Sequence, residues 1–187
     1  MKNLNIYITE GLADWGEDNT LNKKMSKQTT KAAIKNEIKQ WIINNAKNRI
    51  YKNQFIFDLN VTPITVDYEG DILFENYTSS LTNGIFQWGK VGGVFNCSHC
   101  KSLKTLEGAP KEVGGYFECS HCTSLKTLEG APEKVGWSFF CKDCNSLKSL
   151  EGAPKEVGWE FDCSRCGTQF TEDDVKKVSN VKKEIYC

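Results

Sequence analysis

In the second half of the chain the apolar positions recur every 22 residues. From Val91 the segments VGGVFNCSHCKSLKTLEGAPKE, VGGYFECSHCTSLKTLEGAPEK, VGWSFFCKDCNSLKSLEGAPKE and the shorter VGWEFDCSRCGTQF follow one another without insertion or deletion. Four columns hold through all of them: Val91/Val113/Val135/Val157, Phe95/Phe117/Phe139/Phe161, Cys97/Cys119/Cys141/Cys163 and Cys100/Cys122/Cys144/Cys166. The three full units add Leu103/Leu125/Leu147, Leu106/Leu128/Leu150 and Pro110/Pro132/Pro154. One unit is too short to bury its own Val, Phe, Cys and Leu, so neighbouring units must stack and share a core. Phe and the first Cys are two residues apart and so face one way from a short strand. Ser-Leu-x-x-Leu turns the chain, and Glu-Gly-Ala-Pro ends regular structure and returns it to the next strand.

The flanks read as caps. Ile34, Ile38, Trp41, Ile42 and Ala46 fall on one helical face and predict a helix over Thr29–Asn48. Residues 54–90 read as β-rich degenerate coils, with Ile72, Phe74 and Tyr77 in the Phe, Cys and Cys columns and Thr62-Pro63 interrupting the first strand. Downstream, Thr171 followed by three acids predicts an N-cap and a short helix over about 172–179, closing the stack with Phe170, Val175 and Val178. Cys187 stands outside the period. The expected class is α+β: a flexible segment 1–22, a helical and β cap 23–90, a four-coil β-solenoid 91–170 and a C-terminal cap 171–187.

The pattern Phe-x-Cys-x-x-Cys followed by Leu-x-x-Leu resembles the leucine-rich repeat, with Phe95 and Cys97 at the strand positions and Cys100 at the Asn/Cys position. It departs from that repeat in placing Cys at a core Leu column and one extra residue before Leu103. The form Cys-x-Ser-Leu-x-x-Leu…Pro-x-x-Val is also similar to the short repeats of BspA-like bacterial surface proteins. The Leu-Glu-Gly-Ala-Pro strings resemble repeats from tailed phages and bacteria. Residues 1–11, MKNLNIYITEG, are similar to the targeting peptides of internal head proteins of large tailed phages, cut after an Ile/Leu-x-Glu sequence that Ile8, Thr9 and Glu10 would supply. These resemblances imply a solenoid used for binding, encoded by a phage, either acting in the cytoplasm of the bacterial host or packaged in the virion.

Composition narrows the partners. The 187 residues carry 24 basic and 24 acidic side chains, so bulk charge draws the chain to neither nucleic acid nor membrane. No apolar run has the ~18 residues of a membrane span, and the start has no secretory apolar region. Charge is uneven, however: between Lys23 and Lys52 there are nine basic residues and one acid, Glu37. That segment is either a capping helix with a solvated lysine face or a contact for an acidic partner or nucleic acid.

Eight of nine cysteines belong to the repeat, as four CxxC pairs. Structural zinc uses such spacing, which makes Cys97, Cys100, Cys119, Cys122, Cys141, Cys144, Cys163 and Cys166 candidate ligands. The favoured reading is a buried thiol ladder, because the Cys columns share their period with Phe, Leu and Pro and the first Cys is in phase with Phe. Disulfides between neighbouring coils, about 5 Å apart, are the third reading, disfavoured in a reducing cytoplasm. His99 and His121 sit inside CxxC loops where Asp143 and Arg165 stand in the later repeats, which marks the position as exposed.

No phosphate loop, nucleophile elbow or catalytic constellation is present in the sequence, so no enzyme activity and no cofactor are expected. If Phe95 and Cys97 point inward, Val94, Asn96, Ser98, Tyr116, Glu118, Ser120, Ser138, Phe140, Lys142, Glu160, Asp162 and Ser164 point outward. Partner contact is expected from Tyr116, Glu118, Phe140, Lys142, Glu160 and Asp162, joined by Trp137 and Trp159, which replace Gly93 and Gly115. The expected function is protein–protein interaction, of the kind that inhibits a bacterial host or defence factor. The alternatives are a zinc-stabilised nucleic-acid-binding module acting through 23–52 and an internal virion protein.

Overall fold

The computed structural model describes residues 20–47, 55–74 and 78–187, with residues 20–29 described as backbone alone. The candidate targeting peptide, Tyr77 and the basic residues beyond Lys47 in the 23–52 segment lie outside the described residues. The chain is a β-solenoid. Each coil contributes two short strands, and corresponding strands of successive coils pair in parallel, so two sheets run the length of the stack. The first has the order β1-β2-β4-β6-β8-β10-β12: Phe55–Asp58, Thr65–Tyr68, Gln87–Val91, Glu112–Val113, Lys134–Val135, Glu156–Val157 and Asn180–Val181. The second has the order β13-β11-β9-β7-β5-β3: Glu184–Tyr186, Glu160–Asp162, Phe139–Phe140, Phe117–Glu118, Phe95–Asn96 and Ile72–Leu73. Where one strand per coil was expected there are two, because the chain before each Val column is extended enough to pair with its neighbour.

Register follows the repeat. Val91 pairs with Val113, Val113 with Val135 and Val135 with Val157. Phe95, Phe117, Phe139 and Phe161 align likewise. All these side chains are buried, as are Leu103, Leu106, Leu125, Leu128, Leu147 and Leu150. The phenyl rings stack, with centroids 5.4 Å apart between Phe95 and Phe117 and 5.5 Å between Phe117 and Phe139, both pairs within 8° of parallel. Glycine is required beside the Val column, since a Cβ on Gly114, Gly136 or Gly158 would overlap the carbonyl oxygen of the glycine one coil earlier.

The N-terminal end is closed. Helix α1 (Thr20–Asn45) begins nine residues before the predicted start, so residues 20–22 of the expected flexible segment are helical. Its apolar stripe begins only at Ile34, which is why periodicity missed the earlier turns. Ile38 and Ile42 are buried, and Trp41 packs against Phe74 and Phe86. Ala46 bridges to Phe74, and Lys47 N–H donates to Leu73 O at 2.6 Å, so the helix exit covers the edge of β3. Strand β1 pairs antiparallel with β2 and closes the other sheet. Ile72 lies in register with Phe95, as the degenerate-coil reading expected.

The C-terminal end corrects the expectation. Helix α2 (Glu172–Val178) has the predicted Thr171 cap, with Thr171 and Asp174 bonding reciprocally. Val175 is buried, but Val178 faces solvent. The helix is a connection and the stack continues past it. Asn180–Val181 and Glu184–Tyr186 form a further coil, with Val181 opposite Val157 and Ile185 opposite Phe161. Cys187 therefore falls in the first Cys column, 24 residues after Cys163.

Candidate interaction face

The thiols point into the stack. Seven of the eight repeat cysteines are buried, Cys166 is half-buried, and none of the nine cysteines is in a disulfide. Across coils the second Cys of one pair donates its S–H to the carbonyl of the first Cys in the coil before: Cys122 to Cys97 O at 3.2 Å, Cys144 to Cys119 O at 3.3 Å and Cys166 to Cys141 O at 3.2 Å. This is the chemical reason for Cys in that column: it is small, apolar and still a donor. Burial pushes the Cys97, Cys119, Cys122 and Cys141 thiols well up, and Cys144 up to about 12, so the ladder holds protonated sulfur. A hydrogen bond from Cys141 holds the half-buried Cys166 thiol below its usual value. Among the described residues no three His, Cys, Asp or Glu side chains converge as ligands for one ion.

Of the predicted contact residues, Lys142 lies half-buried in the turn after β9, and the outer surface of the β3–β13 sheet carries Tyr116, Glu118, Phe140, Glu160 and Asp162 in two columns. One runs Val94, Tyr116, Ser138, Glu160, Glu184; the other runs Asn96, Glu118, Phe140, Asp162, Tyr186. The alternation is as predicted, yet the face is not uniformly wet. Tyr116 and Phe140 are half-buried because their rings pack edge-on, 6.0 Å apart. Ser120, Ser138 and Asp162, expected to point outward to solvent, are buried instead. Asp162 lies between Phe140 and Tyr186 in its column, and its carboxylate accepts from Ser164 N–H at 2.9 Å and Ser164 Oγ at 2.6 Å. Asn96 makes the same pair of bonds with Ser98. Glu118 replaces Asn/Asp in the intervening coil, and the Ser120 hydroxyl there has no partner.

At the border of this face Trp137 and Trp159 occupy consecutive coils, linked by a 2.8 Å bond from Trp159 N–H to Trp137 O. They are 67% and 55% exposed, so more than half of each side chain faces solvent. Lys183 continues the column, its ammonium 5.6 Å from the Trp159 ring centre. The last coils form a shallow groove of about 600 Å³ lined by Glu160, Asp162, Arg165, Glu172 and Tyr186 among others. Burial, with Asp162 and Glu184 nearby, raises the Glu160 carboxyl. Tyr186 donates its hydroxyl to Glu184.

The variable position inside each CxxC forms a ladder at the opposite border. His99, His121, Asp143 and Arg165 all adopt left-handed backbone, with φ between 53° and 59°. The two imidazoles stack 4.4 Å apart, His121 Nε2 lies 3.6 Å from Asp143, and Arg165 makes a two-pronged pair with Asp143 at 2.8 and 2.6 Å. That pairing holds the Asp143 carboxyl below the usual range. Variation between repeats marks this position as exposed, but the column itself exists only through the stacking register.

On α1, Lys35 and Lys39 sit over the Phe57 ring, each ammonium 5.6 Å from its centre, so part of the basic segment is turned onto the cap. Among the described residues no helix is long and apolar enough to cross a membrane. Comparison with family models, with curated proteins and with solved structures finds no match.

Proposed function

We propose that the protein is a non-enzymatic binding module that holds a protein partner on the outer surface of the β3–β13 sheet, with Trp137 and Trp159 as the anchors. The observation that carries this reading is the exposure of two large indoles on consecutive coils of a rigid, in-register sheet, beside the half-buried Tyr116–Phe140 pair. Exposed aromatic side chains ringed by polar groups are what the centre of a protein interface presents before it is covered. Glu118, Lys142, Glu160 and Lys183 would form the polar rim that sets orientation. The phage-type repeat resemblance makes a bacterial host or defence factor the partner to seek, with inhibition through occlusion of its surface.

The test is a comparison of wild type with Trp137→Ala/Trp159→Ala in nuclease-treated host lysate. The expected result is one protein retained by wild type at stoichiometric level and lost from the double variant. Because the indoles are exposed, the variant's melting temperature should stay within ~2 °C of wild type. Equal retention by both proteins would rule out this face. Material retained from a parallel untreated lysate but not from the nuclease-treated one would instead favour nucleic acid bound through α1.

A further inference from the structure

The last member of the first Cys column differs from the rest. Cys97, Cys119 and Cys141 are sealed between coils, out of reach of any dissolved oxidant. Cys187 is exposed, and its sulfur lies 3.6 Å from that of Cys163. The residues just before them, Asp162 and Tyr186, are paired in parallel register, so the two Cα atoms are about one strand spacing (~4.8 Å) apart. That lies within the ~4.4–6.8 Å span a disulfide accepts. Small side-chain rotations close the remaining sulfur gap, whereas sealed pairs higher in the column have no solvent path.

We propose that Cys163 and Cys187 are a disulfide-forming pair, a thiol-oxidation site that fastens the final coil to the one before it. The oxidant is a low-molecular-weight disulfide. The Cys187 thiolate attacks one sulfur of that disulfide, forming a mixed disulfide and releasing one small thiolate. The Cys163 sulfur then attacks the Cys187 sulfur and its proton passes to the departing sulfur, releasing the second small thiol. Two protein thiols are oxidised and one small disulfide is reduced to two thiols. Cys187 must react first, because Cys163 is covered until the mixed disulfide brings the reactive bond to it. The bond would tie down the coil that carries Glu184 and Tyr186, and with them one wall of the groove beside Glu160 and Asp162.

The experiment treats the native chain with oxidised glutathione, blocks the remaining thiols and maps the bond with trypsin. Cuts after Lys155, Arg165 and Lys183 place Cys163 in the peptide 156–165, Cys187 in the peptide that begins at Glu184, and Cys166 in a separate peptide. The expected product is 156–165 joined to the Glu184 peptide, with two of nine thiols lost and no dimer. Cys163→Ser should instead accumulate Cys187 as a stable glutathione adduct. A bond to the Cys166 peptide, a Cys187–Cys187 dimer, or a lasting glutathione adduct in wild type would each overturn the assignment.

Discussion

Truncating Phe117 to alanine tests the stacked core directly. Phe117 is fully buried at the centre of the ring ladder, with near-parallel neighbours on both sides at 5.4 and 5.5 Å. Burial of one phenylalanine contributes ~1.5–3 kcal/mol, and each ring–ring contact adds ~0.5–1.5 kcal/mol. The neighbouring coils are fixed by their own backbone pairing, so they cannot collapse into the void. Phe117→Ala should therefore cost about 3–5 kcal/mol. The matched control is Ile185→Ala, at the same column in the last coil, where the side chain is only half-buried and has a partner on one side. It should cost about 1 kcal/mol. Equilibrium urea unfolding, followed by tryptophan fluorescence and far-UV circular dichroism, measures both. A loss below about 1.5 kcal/mol at Phe117, or equal losses at the two positions, would refute the ladder as the main source of cohesion.

Two further expectations concern backbone and charge. Gly136→Ala should destabilise by about 1–3 kcal/mol in the same urea assay, because its Cβ would press on Gly114 O while Gly136 N–H is held at 2.8 Å by Val113 O; wild-type stability would show that the coils can separate there. The Asp174 carboxyl is held down at about 2, first by the Thr171 hydroxyl and then by Lys177. A lowered folded value contributes stability above the unfolded value, about 4, that is lost as pH falls towards 2. The gap in urea midpoint between wild type and Asp174→Asn should thus be present at pH 6 and shrink steadily as pH falls from about 4 towards 2; a gap unchanged at pH 2 would show that the carboxylate charge is not its source.

The inward Phe, Val, Leu and Cys columns were legible because a repeat with no insertions has one self-consistent way to stack. The Thr171 cap was legible because its bonds are local. The final coil was not, although Val181, Glu184 and Cys187 match Val157, Glu160 and Cys163 in type. Helix α2 replaces the Leu-x-x-Leu and Gly-Ala-Pro connection and shifts the spacing from 22 to 24, so a fixed period passes over it. The start of α1 was missed because its first turns carry no apolar stripe. On the outer sheet face, alternation separates half-buried Asn96, Glu118 and Phe140 from the buried Phe column but fails at Ser138 and Asp162, which are buried. Ser138 and Asp162 are small side chains beside large ones, and shading by neighbours in other coils is invisible to a rule that reads one strand at a time.

The near-identity of the coils leaves their order underdetermined by the interior alone. Phe117 would stack on Phe161 as well as on Phe139, so a chain that skipped one coil and let it bulge out would still match every column it retained. The burial that a bulged coil forfeits opposes such a skip, whereas the pair of unlike ends fixes where the array starts and stops. The Trp41–Phe86–Trp88 cluster fits only the first coil, and α2 spans only the interval before the last. The terminal pieces are thus the reference marks by which an otherwise translationally degenerate array finds its first and last members.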